Sequence, residues 1–128
     1  LYYQHTFHRD RIVALHEAML ARGMESPYAE RLAEWEPNPE HERRVTTRVP
    51  CADYFAVRDQ ALLAHATQID PNGHWFDIPL EVSQQAWPTE DYELARSIIT
   101  PQLPEDDLFA GVRELVDTYD GRRESIDA

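Results

Sequence analysis

Residues 51–67 read Cys-Ala-Asp-Tyr-Phe-Ala-Val-Arg-Asp-Gln-Ala-Leu-Leu-Ala-His-Ala-Thr and carry the strongest helical signal in the chain. At helical spacing, one apolar stripe is expected to face the core; it consists of Phe55, Leu62, Ala66 and Ile69. The adjacent stripe consists of Tyr54, Arg58, Ala61, His65 and Gln68. The spacing therefore predicts that Arg58, His65 and Gln68 lie at the border of the buried face, at and just past the end of this helix.

Shorter elements are predicted before this helix. Residues 1–4 indicate a buried strand, and a helix capped by Thr6 or Asp10 is expected to run to about residue 22 and stop at Gly23. A second helix begins at Ser26-Pro27, with Leu32 and Trp35 facing inward. Residues 36–44 are polar and predict a mobile surface loop, and the β-branched residues 45–49 predict a strand.

After the helix, Asp70-Pro71-Asn72-Gly73 is a turn signal. A short helix is predicted over 79–86, a strand over 91–99 (where helix would also be tolerated), and a last helix over 108–119. Because strands and helices alternate, the pattern indicates the α/β class.

Composition excludes several functions. The chain has 128 residues and a net charge of −12, which disfavours nucleic acid and anionic membranes as partners. All 12 cations are arginine, so no Schiff base or phosphate-loop lysine can come from this chain. With a single cysteine, no internal disulfide is possible, and with no long apolar run or visible leader we expect a cytoplasmic protein.

Few residues suggest catalysis on their own. His5, His8 and Asp10 could share a helix face as metal ligands, but caps and turn bonds are the better explanation. Cys51 begins a helix, where a thiolate is favoured, yet no local histidine offers a base, so a small packing or capping role is preferred. The acidic runs 90–91 and 105–107 are interpreted as solvated surface.

His65 and Gln68 leave two interpretations open. A histidine in a last helical turn is favoured by the helix dipole when protonated, and a glutamine can both donate to and accept from a sugar hydroxyl or an amide. The same residues could equally close a helix end, with His65 bonded to a carbonyl. Spacing alone does not separate these alternatives.

Four blocks resemble one family. They are Val45-Thr-Thr-Arg-Val-Pro-Cys-Ala-Asp-Tyr-Phe55, Ala61-Leu-Leu-Ala-His-Ala-Thr-Gln-Ile-Asp-Pro71, Trp87-Pro-Thr-Glu-Asp-Tyr-Glu-Leu-Ala-Arg96 and Pro104-Glu-Asp-Asp-Leu-Phe-Ala-Gly111. In this order they are similar to the actinobacterial mycothiol S-conjugate amidases of the LmbE-like (PIG-L) zinc deacetylase superfamily. The resemblance implies a Rossmann-like α/β fold and a zinc ion that activates water against an amide. The substrate would be a mycothiol S-conjugate, cleaved to a mercapturic acid and glucosaminyl-inositol.

The sequence departs from the family because it contains neither the His-Pro-Asp-Asp nor the His-Pro-Asp-His segment that holds the zinc. We therefore expect residues 1–113 to be the C-terminal part of the amidase domain, with 114–128 as a tail. No catalytic residue or metal ligand is assigned in this chain, and the N-terminal half is the expected partner for both. The resemblance places Gln68 against substrate, with His65 and Ile69 nearby; Arg58 is added from the helical stripe.

Two alternatives remain. One is the related N-acetylglucosaminyl-inositol deacetylase or another amide hydrolase of the superfamily. The other is a non-catalytic interaction fragment of such an enzyme. Because half of a parallel sheet leaves an open edge, either self-association as a homo-oligomer or a partner is expected.

Overall fold

A computed structural model describes residues 1–113, 115 and 116 as a mixture of short helices and one small sheet. Its elements are β1 (Tyr2–Gln4), α1 (Arg9–Leu20), α2 (Ala29–Glu34), α3 (Pro39–Glu42), β2 (Thr47–Pro50), α4 (Phe55–Leu63), α5 (Leu80–Ala86) and β3 (Thr89–Leu94). Two 3₁₀ turns, Ala52–Tyr54 and His74–Phe76, precede α4 and α5. The predicted mixed α/β composition is confirmed. None of the described helices has the length and apolar character needed to cross a membrane.

The sheet is antiparallel, with strand order β1-β3-β2. The central strand pairs Tyr92 with Gln4 on one side and with Thr47 on the other. The strand predicted over 91–99 therefore begins earlier, at Thr89, and ends at Leu94, after which Ala95 and Arg96 bond only to the backbone of Leu1 among the described residues. The parallel sheet that the resemblance implied is not formed by these three strands.

The core lies where α1 packs on α5. Leu15 and Met19 from α1 meet Ile78 and Val82, and all four side chains are buried. Gly23 follows α1 with a φ of 69°, a conformation in which glycine carries no Cβ penalty, so the predicted helix stop is confirmed. The predicted caps are wrong, because the N-cap position is His8 and not Thr6 or Asp10.

Helix α4 is shorter than predicted. It ends at Leu63 rather than residue 67, and the backbone N–H groups of His65 and Gln68 bond to the carbonyls of Leu62 and His65 in successive turns. Phe55 is buried, but Ala66 in the same predicted stripe is exposed. Because helices of this length depend on packing, a segment that buries so little does not extend one.

Residues 36–44 are not the loop that was predicted, since they contain α3, whose first N–H groups bond to the Asn38 side chain. Leu32 and Trp35 are half-buried, in partial agreement with the prediction. Residues 110–113 are helical, as expected for the predicted helix over 108–119. Its end at 117–119 and most of the predicted tail 114–128 lie outside the described residues.

Candidate functional site

The predicted substrate residues do not lie together. His65 and Gln68 are exposed, Ile69 is half-buried, and Gln68 donates from Nε2 to the Thr67 carbonyl oxygen at 2.9 Å. Arg58 lies elsewhere, in the wall of a cleft whose lining includes none of the other three. The predicted stripe is therefore divided into an exposed turn and one cleft residue.

The cleft has a volume of about 360 Å³ and opens between the start of α1, the segment before α2 and the 3₁₀ turn at 74–76. Its walls are mostly apolar and aromatic, and its polar side includes arginines. The main lining side chains are Phe7, Tyr28, Trp75, Arg11, Arg31 and Arg58. A concave, largely apolar surface with a few polar groups is the usual form of a small-molecule site.

The Arg58 side chain is held in the cleft wall by two kinds of contact, aromatic stacking and ion pairing. Its guanidinium carbon lies 4.1 Å from the ring centroid of Phe55 and 5.2 Å from that of Trp75, within range of cation–π attraction. Its Nη1 donates to Glu90 Oε1 at 2.9 Å and its Nε donates to Asp59 at 3.0 Å. Since stacking and ion pairing both restrict the side chain, Arg58 presents a preorganised surface to the cleft.

Glu90 joins two arginines of the cleft. One carboxylate oxygen accepts from Arg58, and the other accepts from Arg11 Nη1 at 3.2 Å. Arg11 is buried with an exposed fraction of 6%, and the Glu90 side chain is 12% exposed. Because a buried guanidinium without a counter-ion costs several kcal/mol, Glu90 is what allows Arg11 to remain in the wall.

Behind the cleft, Asp91 is buried and accepts three side-chain hydrogen bonds. The donors are His8 Nε2 at 2.6 Å, Trp87 Nε1 at 2.7 Å and Thr89 Oγ1 at 2.7 Å. Burial raises the pKa of the Asp91 carboxyl, but the hydrogen bonds from His8, Thr89 and Trp87 outweigh burial and hold that pKa below its ordinary value. Asp91 is therefore an ionised anchor that joins α1 to β3.

Glu42 completes this anchor from α3. Its carboxylate accepts from His8 Nδ1 at 3.2 Å and from the backbone N–H of Arg9 at 3.0 Å, so it caps α1 from a distance. Burial raises the pKa of Glu42, but the backbone hydrogen bonds of Arg9 and Asp10, together with His8, lower it overall. The imidazole of His8 is thus held between two carboxylates.

The interpretation of the acidic runs as solvated surface is wrong for three residues. Glu90 and Asp91 bind the partners described above, and Glu105 accepts from Tyr2 Oη at 2.6 Å and Thr47 Oγ1 at 2.9 Å. Burial and the bond to Glu105 raise the pKa of Tyr2 to about 12. The partners of these carboxylates are mostly distant in sequence, so no local pattern could have revealed them.

Among the described residues, no group of three His, Cys, Asp or Glu side chains is arranged to hold a metal ion. His8 is bonded to Asp91 and Glu42, His5 bonds Glu93 at 3.1 Å, and Asp10 is exposed, so these residues form no metal site. Burial raises the pKa of Cys51, which disfavours its thiolate. The described residues therefore do not fit the zinc ion that the family resemblance implied.

Comparison with known proteins identifies a relative. Mycothiol S-conjugate amidase from Streptomyces coelicolor is 56% identical over 114 residues, which cover 89% of this chain and 39% of the relative. The predicted resemblance to mycothiol S-conjugate amidase is confirmed. The chain thus spans about two fifths of the length of that amidase.

The deacetylases related to mycothiol S-conjugate amidase match over shorter stretches. A 1D-myo-inositol 2-acetamido-2-deoxy-alpha-D-glucopyranoside deacetylase from Frankia alni is 43% identical over 54% of this chain and 25% of the relative. One from Geodermatophilus obscurus is 36% identical over 75% of the chain and 33% of the relative. No protein-family profile and no solved structure matches the chain.

Proposed function

We propose that this chain supplies the substrate-binding, C-terminal part of a zinc-dependent amidase that hydrolyses the amide of mycothiol S-conjugates. The observation that supports this proposal most strongly is 56% identity to a mycothiol S-conjugate amidase across 89% of the chain. The products would be a mercapturic acid and glucosaminyl-inositol, as expected for thiol-based detoxification in the cytoplasm. Residues 1–113 would belong to a Rossmann-like domain whose remaining strands lie outside this chain.

The zinc ligands and the general base are assigned to the N-terminal half of the same enzyme. The described residues hold no fitting set of metal ligands. This chain is proposed to contribute substrate binding and orientation. Arg58 is proposed to line the substrate path with a guanidinium fixed by Glu90. His65, Gln68 and Ile69 are proposed to meet the polar part of the substrate once the N-terminal half covers their turn.

Gln68 is the residue of this turn best suited to a substrate hydroxyl or amide, because a carboxamide both donates and accepts. Replacing Gln68 with alanine in the assembled amidase is expected to lower kcat/KM by a factor of about 5–30, which corresponds to about 1–2 kcal/mol, the scale of one polar contact. The measurement is steady-state hydrolysis of a mycothiol conjugate.

The matched control is Gln60→Ala, which removes an exposed glutamine from α4. We expect this control to leave kcat/KM unchanged. Equal kinetics for wild type and Gln68→Ala would show that Gln68 only closes the turn after α4.

A second candidate is deacetylation of N-acetylglucosaminyl-inositol, which is favoured by the identity to the Frankia alni and Geodermatophilus obscurus deacetylases. The lower identities and shorter matches of these relatives place this candidate behind the amidase. The non-catalytic alternative draws support from the sheet, in which β1 and β2 are edge strands of the described residues. Such edges can pair with another chain.

The proposal is tested by combining this chain with the N-terminal half encoded upstream of Leu1, if a His-Pro-Asp-Asp sequence is found there. We expect hydrolysis of a mycothiol adduct, and one bound zinc, only for the combined protein. Tight zinc binding by the 128-residue chain alone, or an inert combined protein with zinc bound, would contradict it. A monodisperse chain that melts cooperatively and supports no turnover with its partner would favour the interaction fragment.

A further inference from the structure

The cleft beside Arg58 differs in charge from the rest of the chain. The protein carries a net charge of −12, yet among the described residues no aspartate or glutamate lines the cleft, whereas Arg11, Arg31 and Arg58 do. Glu90 and Asp59 balance two of these arginines. The third, Arg31, forms no ion pair with any residue that the structure describes.

Arg31 is nevertheless ordered by aromatic rings. Its guanidinium carbon lies 4.8 Å from the ring centroid of Trp35 and 5.9 Å from that of Phe7, and Phe7 in turn meets Trp75 edge-on at 6.2 Å. A guanidinium group stacked on an aromatic ring keeps its N–H donors available, because they point outward in the plane of the guanidinium and away from the ring face. At the rim of an aromatic cleft, Arg31 therefore presents a cation whose N–H groups donate to no residue in the described part of the chain.

The walls below this rim select an apolar group. Phe7, Tyr28 and Trp75 supply aromatic surface, and Ile12 and Ile78 supply aliphatic surface. Phe7 is 52% exposed even though it is a large apolar side chain, so a bound apolar group would remove it from water. A ligand that fits both features has a carboxylate next to an aromatic or alkyl substituent.

We propose that this cleft binds an S-substituted N-acylcysteine through its carboxylate at Arg31 and its S-linked apolar group against the exposed faces of Phe7 and Trp75 in the cleft wall. This inference rests on the proposed function for the choice of acid. Of the two products of amide hydrolysis, the acid combines a carboxylate with an apolar group, whereas the amino sugar is polar and cationic. The cleft thus holds the acid product, and the S-substituent of the conjugate before cleavage.

The test is calorimetric titration of the full 128-residue chain with N-acetyl-S-benzylcysteine, its neutral carboxamide and N-acetyl-S-methylcysteine. We expect the benzyl acid to bind about tenfold more tightly than the carboxamide, the size of one charge-assisted contact. The methyl acid should bind about tenfold more weakly than the benzyl acid, because it buries less apolar surface.

Two exposed variants assign the contacts. Arg31→Gln should abolish the preference for acid over carboxamide, whereas Arg43→Gln, the same charge change on another exposed side chain, should not. Phe7→Ala should abolish the preference for benzyl over methyl, whereas Phe109→Ala should not; Phe109 is 61% exposed and lies outside the cleft.

The inference would be overturned if the acid and the carboxamide bound with affinities within about twofold of each other. It would also be overturned if the two ligand preferences survived Arg31→Gln and Phe7→Ala. An absence of binding would overturn it as well. These titrations require neither zinc nor turnover. A working amidase whose chain ignores the acid would therefore refute this inference and leave the proposed function intact.

Discussion

Replacing Asp91 with alanine is expected to lower the free energy of unfolding by about 3–5 kcal/mol, the cost of removing one partner from a buried polar pair. Asp91 is fully buried, and so is its partner His8. Removing the carboxylate would leave the donors of His8, Trp87 and Thr89 without this acceptor. Urea denaturation monitored by tryptophan fluorescence measures the change.

Asp53→Ala is the matched control, since Asp53 is an exposed aspartate in the 3₁₀ turn before α4. We expect it to change stability by no more than about 0.5 kcal/mol. A loss of under about 1 kcal/mol for Asp91→Ala would show that the His8–Asp91 pair is not an anchor of the fold.

The same anchor sets a pH dependence. The folded-state pKa values of Asp91 and Glu42 lie below their unfolded values, so the stabilisation is present above the unfolded pKa of about 4. This stabilisation is lost as the pH falls through the pKa values of Asp91 and Glu42 in the folded protein. Wild-type stability should therefore decline below about pH 4, and Asp91→Asn should flatten that decline. An identical acid limb in both proteins would contradict this assignment.

Replacing Glu90 with alanine is expected to cost about 3 kcal/mol of stability, because it leaves Arg11 buried without a counter-ion and frees Arg58 from one of its anchors. Glu90→Gln should recover part of the loss, since an amide oxygen can still accept from one guanidinium. Thermal unfolding of the two variants beside wild type provides the measurement.

Glu34→Ala controls for the removal of an acidic side chain, because Glu34 is exposed at the end of α2. Its expected effect is within about 0.5 kcal/mol. If Glu90→Ala were as stable as Glu34→Ala, the two arginines would be held by packing and aromatic stacking instead of by the shared carboxylate.

Elements with strong local signals were predictable from sequence. The stop after α1 was predictable because the positive φ that it requires depends on one residue, Gly23. The short helix α5 fills almost the whole range predicted for it. The end of α4 was not predictable, because helical spacing continues to Gln68 while the packing that would hold the helix stops near Leu63.

The candidate site was harder to predict than the fold. Asp91 and Glu90 look like a solvated doublet, and their partners His8 and Arg11 lie 83 and 79 residues away. The sequence pattern did single out Arg58, which lines the cleft, but the aromatic side chains that line the cleft with it come from separate segments: Phe7, Tyr28 and Trp75. The predicted substrate contacts of Gln68, His65 and Ile69 can be tested only in a protein that includes the N-terminal half.

Substrate preference tests the central claim most directly. The measurement is kcat/KM of the protein containing this chain and its N-terminal half, with a bimane adduct of mycothiol and with N-acetylglucosaminyl-inositol as alternative substrates. We predict a preference for the adduct of about tenfold or more, equivalent to at least about 1.4 kcal/mol of differential transition-state binding. A preference for the acetylated sugar would contradict the amidase assignment and establish the deacetylase instead.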